Sequence, residues 1–187
     1  MTPNALDRGR KLLSCRRFDV VAVEEILSDG LVREREIVVH PGSVVVVPIV
    51  DDHAFAGGRQ VCLIENHRLS VGRPLLELPA GTLDVPGETP ADAAARELAE
   101  ETGWRAARIE PLGGFWMSPG ILRERMHLFL ATGLLPGQQQ LEAGEKILPR
   151  LMPWPDAVMM CLDGRIDDAK TVAAILMTDR ILSASRD

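Results

Sequence analysis

The stretch from Gly87 to Trp104, GETPADAAARELAEETGW, constrains this chain more than any other. Thr89 reads as an N-cap, Pro90 fits the first helical position, where no N–H is needed, and acidic Asp92 follows in a box-like arrangement. Gly103 is a natural stop. Between these signals Ala91, Ala94, Ala95, Leu98 and Thr102 recur at helical spacing, which predicts a narrow small-residue face able to lie close on a sheet. The other face is acidic. At about 100° per residue, Glu97, Glu100 and Glu101 fall within roughly a 100° arc, so their carboxylates converge. Within the helix, only Arg96, one turn before Glu100, is placed to offset them.

Repulsion between like charges at this spacing is small, ~0.2–0.5 kcal/mol on an exposed helix, so a solvated acidic face is the ordinary reading of such a cluster. Context shifts the weight. A strand end at Pro79-Ala80-Gly81 and a loop through Pro86-Gly87 lead into the helix, and no lysine is interleaved with the acids. Oxygen-only ligands at this density suit a hard divalent cation, Mg²⁺ or Mn²⁺. Zinc is not suggested, because no HExxH or Cys/His cluster accompanies them.

The rest of the chain alternates strand and helix signals. RRFDVVAVEEIL (16–27) and LVREREIVVH (31–40) read as two strands joined at Ser28-Asp29-Gly30, a hairpin-like N-terminal unit. SVVVVPIV (43–50) is a continuous apolar run, as expected of a strand buried on both faces, and QVCLIEN (60–66) would pair with it. Further strands are expected at 74–81, 112–117, 125–134 and 146–154, with helices from Asp156 to about Leu162 and from Asp168 to about Ser183. The last helix carries an apolar stripe of Ala169, Val172, Ala173, Leu176 and Leu182. Strands and helices in mixed order imply a layered α/β/α sandwich on a mixed sheet.

With 187 residues, 46 % of them hydrophobic, the chain is long enough for one ordinary domain with a full core. The net charge of −6, without a basic run, argues against nucleic-acid binding. Cys15, Cys62 and Cys161 are far apart, odd in number and lack CxxC spacing, which suggests neither a disulfide framework nor a zinc knuckle and fits a reducing cytoplasm. No signal-type h-region or run of eighteen apolar residues occurs, so neither export nor a membrane span is expected.

At the acidic helix the sequence resembles the Nudix hydrolases, whose box runs G-x5-E-x7-R-E-U-x-E-E-x-G-U with U apolar. Gly81, Glu88 and Arg96-Glu97-Leu98-Ala99-Glu100-Glu101-Thr102-Gly103-Trp104 follow it, except that six residues rather than five separate Gly81 from Glu88. The resemblance extends to the ADP-ribose pyrophosphatase branch through REREIVVHPGSVVVVP, ENHRLSVGRPLLELPAG, SPGILRERMHLFLA and GRIDDAKTVAAIL. It departs where Glu65-Asn66-His67 precedes Arg68 in place of a glutamine-containing lead, and the chain has no tyrosine for stacking a base.

The resemblance implies a Nudix-type α/β/α sandwich (class α+β) over 43–187, with residues 1–42 as a β-hairpin extension that crosses to a partner in a homodimer. It implies Mg²⁺ or Mn²⁺ held by Glu97, Glu101 and the carbonyl of Ala80, with Glu100 assisting. The reaction it implies is hydrolysis of ADP-ribose or a related nucleoside diphosphate sugar to a nucleoside monophosphate and a sugar phosphate. Glu124, in the SPGILRER loop, is the candidate general base, and Glu100 is its rival. Arg96 reads as an orienter of the acids, which Glu88 would help position. Arg68 and Arg35 resemble substrate contacts, although Arg35 equally fits an outward strand residue. His40, His53, His67 and His127 lack a matching nucleophile and read as structural or surface residues. Trp104, Trp116 and Trp154 read as core or interface aromatics; Trp116 and Phe18 are the two that could also reach a ligand, and neither joins the site set. The competing function is a Nudix-fold ligand-binding or regulatory module without turnover; a third keeps the chemistry on another sugar nucleotide or a dinucleotide.

Overall fold

The computed structural model describes residues 5–51, 58–141 and 144–184. His53 therefore lies outside the described residues. After one turn of 3-10 helix at Ala5–Arg8, the chain forms β1 (Arg10–Ser14), β2 (Asp19–Ile26), β3 (Val32–Val39), β4 (Ser43–Asp51), β5 (Arg59–Arg68), β6 (Arg73–Glu77) and β7 (Ala80–Thr82). Helix α1 (Pro90–Thr102) follows, then β8 (Trp104–Ser118), β9 (Leu122–Pro136), β10 (Ile147–Pro153), α2 (Trp154–Leu162) and α3 (Ala169–Ala184). Strand β1 is additional to the expected hairpin, and the single strand expected at 74–81 is split at Leu78-Pro79 into β6 and β7.

The apolar run of β4 organises the layers. Its alternation sends Val45, Val47 and Ile49 into a core shared with α2 and α3, and Val44 and Val46 into a second core beneath α1. All five are at most 2 % exposed, so the strand is buried on both faces as its sequence predicts. The sheet is mixed: β4 runs parallel to β9 from Ser43↔Met126 to Pro48↔Ala131 and antiparallel to β5 and β7. Helices on both faces of this curled sheet make the expected sandwich.

The β2–β3 hairpin turns at Gly30, whose φ of 82° needs no side chain, and Asp29 accepts from the Leu31 N–H at 3.0 Å. Strand β3 meets the rest of the sheet at Val38↔Leu122 and Val39↔Arg123 of β9.

Helix α1 starts and stops where its sequence says. The Thr89 hydroxyl accepts from the Asp92 N–H, and Gly103 closes the helix at φ 76° while donating to the Ala99 carbonyl. Its inner face differs from the expected stripe: Ala93, Ala94, Leu98, Glu101 and Thr102 are buried, whereas Ala91 and Ala95 are exposed. Small size alone does not orient an alanine; the rotation is set by Leu98 and by Glu101, which turns inward to the strand end. In α3 the buried positions are Lys170, Thr171, Ala174, Ile175 and Thr178 rather than the expected stripe. Lys170 and Thr171 face inward because each has a polar partner there, described below.

Candidate active site

Arg96 gathers the acids of α1. Its guanidinium forks onto Glu88, with Nε to Oε1 at 2.8 Å and Nη2 to Oε2 at 3.0 Å, while Nη1 donates to Glu97 Oε1 at 2.7 Å and Glu100 Oε2 at 3.0 Å. Glu88 is thus engaged despite the extra residue after Gly81; the loop absorbs the insertion and the bidentate pair is kept. Three carboxylates hold the Arg96 charge well above its ordinary pKa, the Glu88 pair contributing most.

Glu101 is the deepest acid, 5 % exposed, and its Oε2 accepts from the Ala80 N–H at 2.9 Å. Burial drives its pKa up to about 8; the Ala80 bond opposes the shift, and Glu97 and Glu145 add to it. Burial also raises Glu97, against the pull of Arg96. Gly81 makes room for this arrangement: a Cβ there would lie 1.9 Å from the Glu97 carboxyl. The Gly81–Glu97 packing fixes α1 on β7 at the place where backbone and carboxylates meet.

Glu124, which the sequence places in a loop, stands on β9 instead, just after the turn at 119–121. Its Oε1 accepts from the Ser43 hydroxyl of β4 at 2.7 Å. His40 Nδ1, which accepts from the Gly42 N–H at 3.2 Å, lies 3.6 Å from the same oxygen, beyond hydrogen-bond reach.

Arg68, a substrate contact by resemblance, is held in a polar network with Glu77 and Lys170. Its Nε and Nη2 donate to Glu77 Oε1 and Oε2 at 2.7 and 2.6 Å. Glu77 is fully buried and also pairs with Lys170, which reaches Asp168 at 2.9 Å. The Thr171 hydroxyl donates to Asp168 and accepts from the Leu78 N–H, tying α3 to the end of β6. The signal available in the sequence is the acid within the apolar PLLELPAG strand, since a buried charge needs a partner. Lys170 lies off the apolar stripe that the sequence predicts for its helix, and only packing turns it inward.

These groups share one cavity of about 640 Å³, whose lining includes Arg68, Glu77, Ala80, Gly81, Arg96, Glu97, Glu100, Glu101, Glu124 and Lys170. Arg35 is not among them. It is exposed on β3 and pairs with Glu25 of β2 at 2.8 Å, the outward placement that was its alternative reading.

Among the described residues, no three His, Cys, Asp or Glu side chains stand ready to hold a metal ion as they are now turned. The reason is local: Glu97 faces Arg96 and Glu101 faces the Ala80 amide. The donor set still fits a hard cation. Its oxygens line one cavity, and the burial that holds back ionisation of Glu97 and Glu101 is a cost that a cation would reverse.

The fold and this cavity define a family, and comparison agrees: the NUDIX domain family matches residues 39–175, and the chain belongs to it. It is a Nudix hydrolase. The ADP-ribose pyrophosphatase of Bacillus subtilis (strain 168) is 32 % identical over 167 residues, 88 % of this chain and 86 % of that protein. A protein of Bacillus methanolicus named methanol dehydrogenase activator is 34 % identical over 151 residues, covering 80 % and 78 %. A crystal structure of an ADP compounds hydrolase superposes with a TM-score of 0.79 at 27 % identity, covering 94 % of this chain and 92 % of that one.

Proposed function

We propose that this chain hydrolyses the pyrophosphate bond of ADP-ribose or a related nucleoside diphosphate sugar, giving a nucleoside monophosphate and a sugar phosphate. The observation that carries the reading is the meeting of Glu97, Glu100 and Glu101 with Ala80, Gly81 and Arg68 in one cavity. Glu97, Glu101 and the carbonyl of Ala80, assisted by Glu100, would hold Mg²⁺ or Mn²⁺. When bound, the cation offsets the phosphate charge and polarises the scissile bond. Arg96 keeps Glu97 and Glu100 turned to a common side. Glu124, fixed by Ser43, takes the proton of the attacking water as its oxygen bonds to phosphorus and the bridging oxygen leaves. Arg68, pre-oriented by Glu77, binds a phosphate or ribose oxygen.

Residues 1–42 serve as a dimerisation element in this reading. Exposed Leu12, Leu13, Ile26, Leu31 and Val32 on this unit support a covered face. A monomer by sizing chromatography would refute it. The three free cysteines fit a reducing, cytoplasmic setting.

The second reading, a regulatory module, draws on the name of the Bacillus methanolicus relative. The intact set of acids favours catalysis. Hydrolysis of a panel of nucleoside diphosphate compounds with Mg²⁺, by the wild type and Glu101→Gln, tests both: AMP and ribose 5-phosphate from ADP-ribose, lost in the variant, support the enzyme, and no turnover of any compound supports the module.

A further inference from the structure

The β8–β9 hairpin has two chemically different faces. Strand alternation sends Met117, Glu124 and Met126 to the acidic cavity, while Trp116, Arg123 and Arg125 line a second cleft of about 420 Å³. Arg16 and Arg17, from the segment between β1 and β2, also line that cleft, and Arg17 borders both cavities. Four arginines therefore line one cleft in a chain of net charge −6.

Among the described residues, none of these four arginines pairs with a carboxylate. Asp19, the acid in the lining, is taken by Lys11 at 2.7 Å and the Ser14 hydroxyl at 2.6 Å. Unpaired like charges around a concave surface raise the local potential and favour an anion. The planar fork of arginine matches phosphate oxygens. Arg125 is already oriented, stacked 5.6 Å from the ring centre of its cross-strand neighbour Trp116. Trp116 and Phe18 are 49 % and 38 % exposed beside the cations, so the cleft also offers flat apolar surface.

A diphosphate held over the acids of α1 does not account for this charge, because Arg123 and Arg125 point away from the face that carries Glu124. We propose that the cleft binds a phosphate monoester on the nucleoside half of the substrate. The preferred substrates would then be nucleoside diphosphate compounds bearing a further 2′- or 3′-phosphate. The inference rests on the pyrophosphatase reading for the reaction, though not for binding of the anion.

The test is calorimetric titration of the full chain, without added metal, with AMP and with adenosine 2′,5′- and 3′,5′-bisphosphate. One bisphosphate should bind at least about tenfold more tightly than AMP, the scale of one charge-assisted contact. Arg16 and Arg123 are exposed, so the double variant R16Q/R123Q should fold and bring the ratio of the two affinities close to one. Equal binding of AMP and both bisphosphates, or a preference that survives the double variant, overturns the proposal. Hydrolysis is followed in parallel. Turnover of ADP-ribose with no bisphosphate preference removes the anion site and leaves the reaction standing; an arginine-dependent preference with no turnover of any diphosphate does the reverse.

Discussion

Gly81 and Glu97 touch so closely that a Cβ on the glycine would lie 1.9 Å from both Cδ and Oε1 of the glutamate. The requirement is for space, since Gly81 is not among the glycines with positive φ. Gly81→Ala should therefore leave the strand intact and push the flexible end of Glu97 out of the cavity. The expected result is a folded protein whose kcat/KM falls by about a hundredfold or more, as for a misplaced catalytic group. Circular dichroism and a rate measurement on one sample check it.

Burial holds Glu101 at about 8, against an ordinary value of 4.5. Between those values the folded chain keeps a proton that the unfolded chain has released, so this group's contribution to stability falls as pH rises through that window. Metal-free protein should lose thermal stability from about pH 5 to about pH 8.5, and Glu101→Gln should flatten that slope. Added Mg²⁺ should raise the melting temperature more at the upper end, where the carboxylate is free to bind it.

Glu124 and Glu100 compete for the role of base. Glu124 is anchored by Ser43, whereas Glu100 is held by Arg96 among the expected metal ligands. Glu124→Gln should lower kcat by about 10²–10⁴-fold with little change in the Mg²⁺ dependence of the rate. Glu100→Gln should instead raise the Mg²⁺ concentration needed for half-maximal rate. The opposite pattern would exchange the two roles.

Glu77 is fully buried between Arg68 and Lys170. Glu77→Leu leaves Lys170 with Asp168 alone in the interior, and a broken buried pair costs about 3–5 kcal/mol. Urea unfolding should show that loss. In the double variant with Lys170→Met much of the stability should return, while Arg68, no longer oriented, leaves KM raised.

Burial pushes the Cys62 and Cys161 thiols up to about 12 and about 11, and Cys15 is exposed. Iodoacetamide should alkylate Cys15 alone in the native protein, because the reactive species is the thiolate. Mass spectrometry counts the adducts. Cys15 also lines the arginine cleft, so a bound nucleoside bisphosphate should slow its modification.

Sequence by itself determined many of the local elements of this protein, though not β1 or the break between β6 and β7. The limits of α1 follow from Thr89, Pro90 and Gly103, whose preferences act within a turn, and the burial of β4 follows from an unbroken apolar run that no one-sided strand would carry. The spacing of Glu97, Glu100 and Glu101 on one helical side is likewise a local property.

Tertiary structure decided what depends on the neighbour. It rotated α1 so that Glu101 rather than Ala95 faced inward, joined Arg68 to Glu77 and Lys170 across three elements, and moved Glu124 from a loop to a strand beside Ser43. It also separated Arg123 and Arg125 from Glu124 by the alternation of β9 and set them beside Arg16 and Arg17, far earlier in the chain. Helix capping and apolar periodicity are short-range preferences, whereas the partner of a charge is fixed only when packing brings distant segments within hydrogen-bond reach.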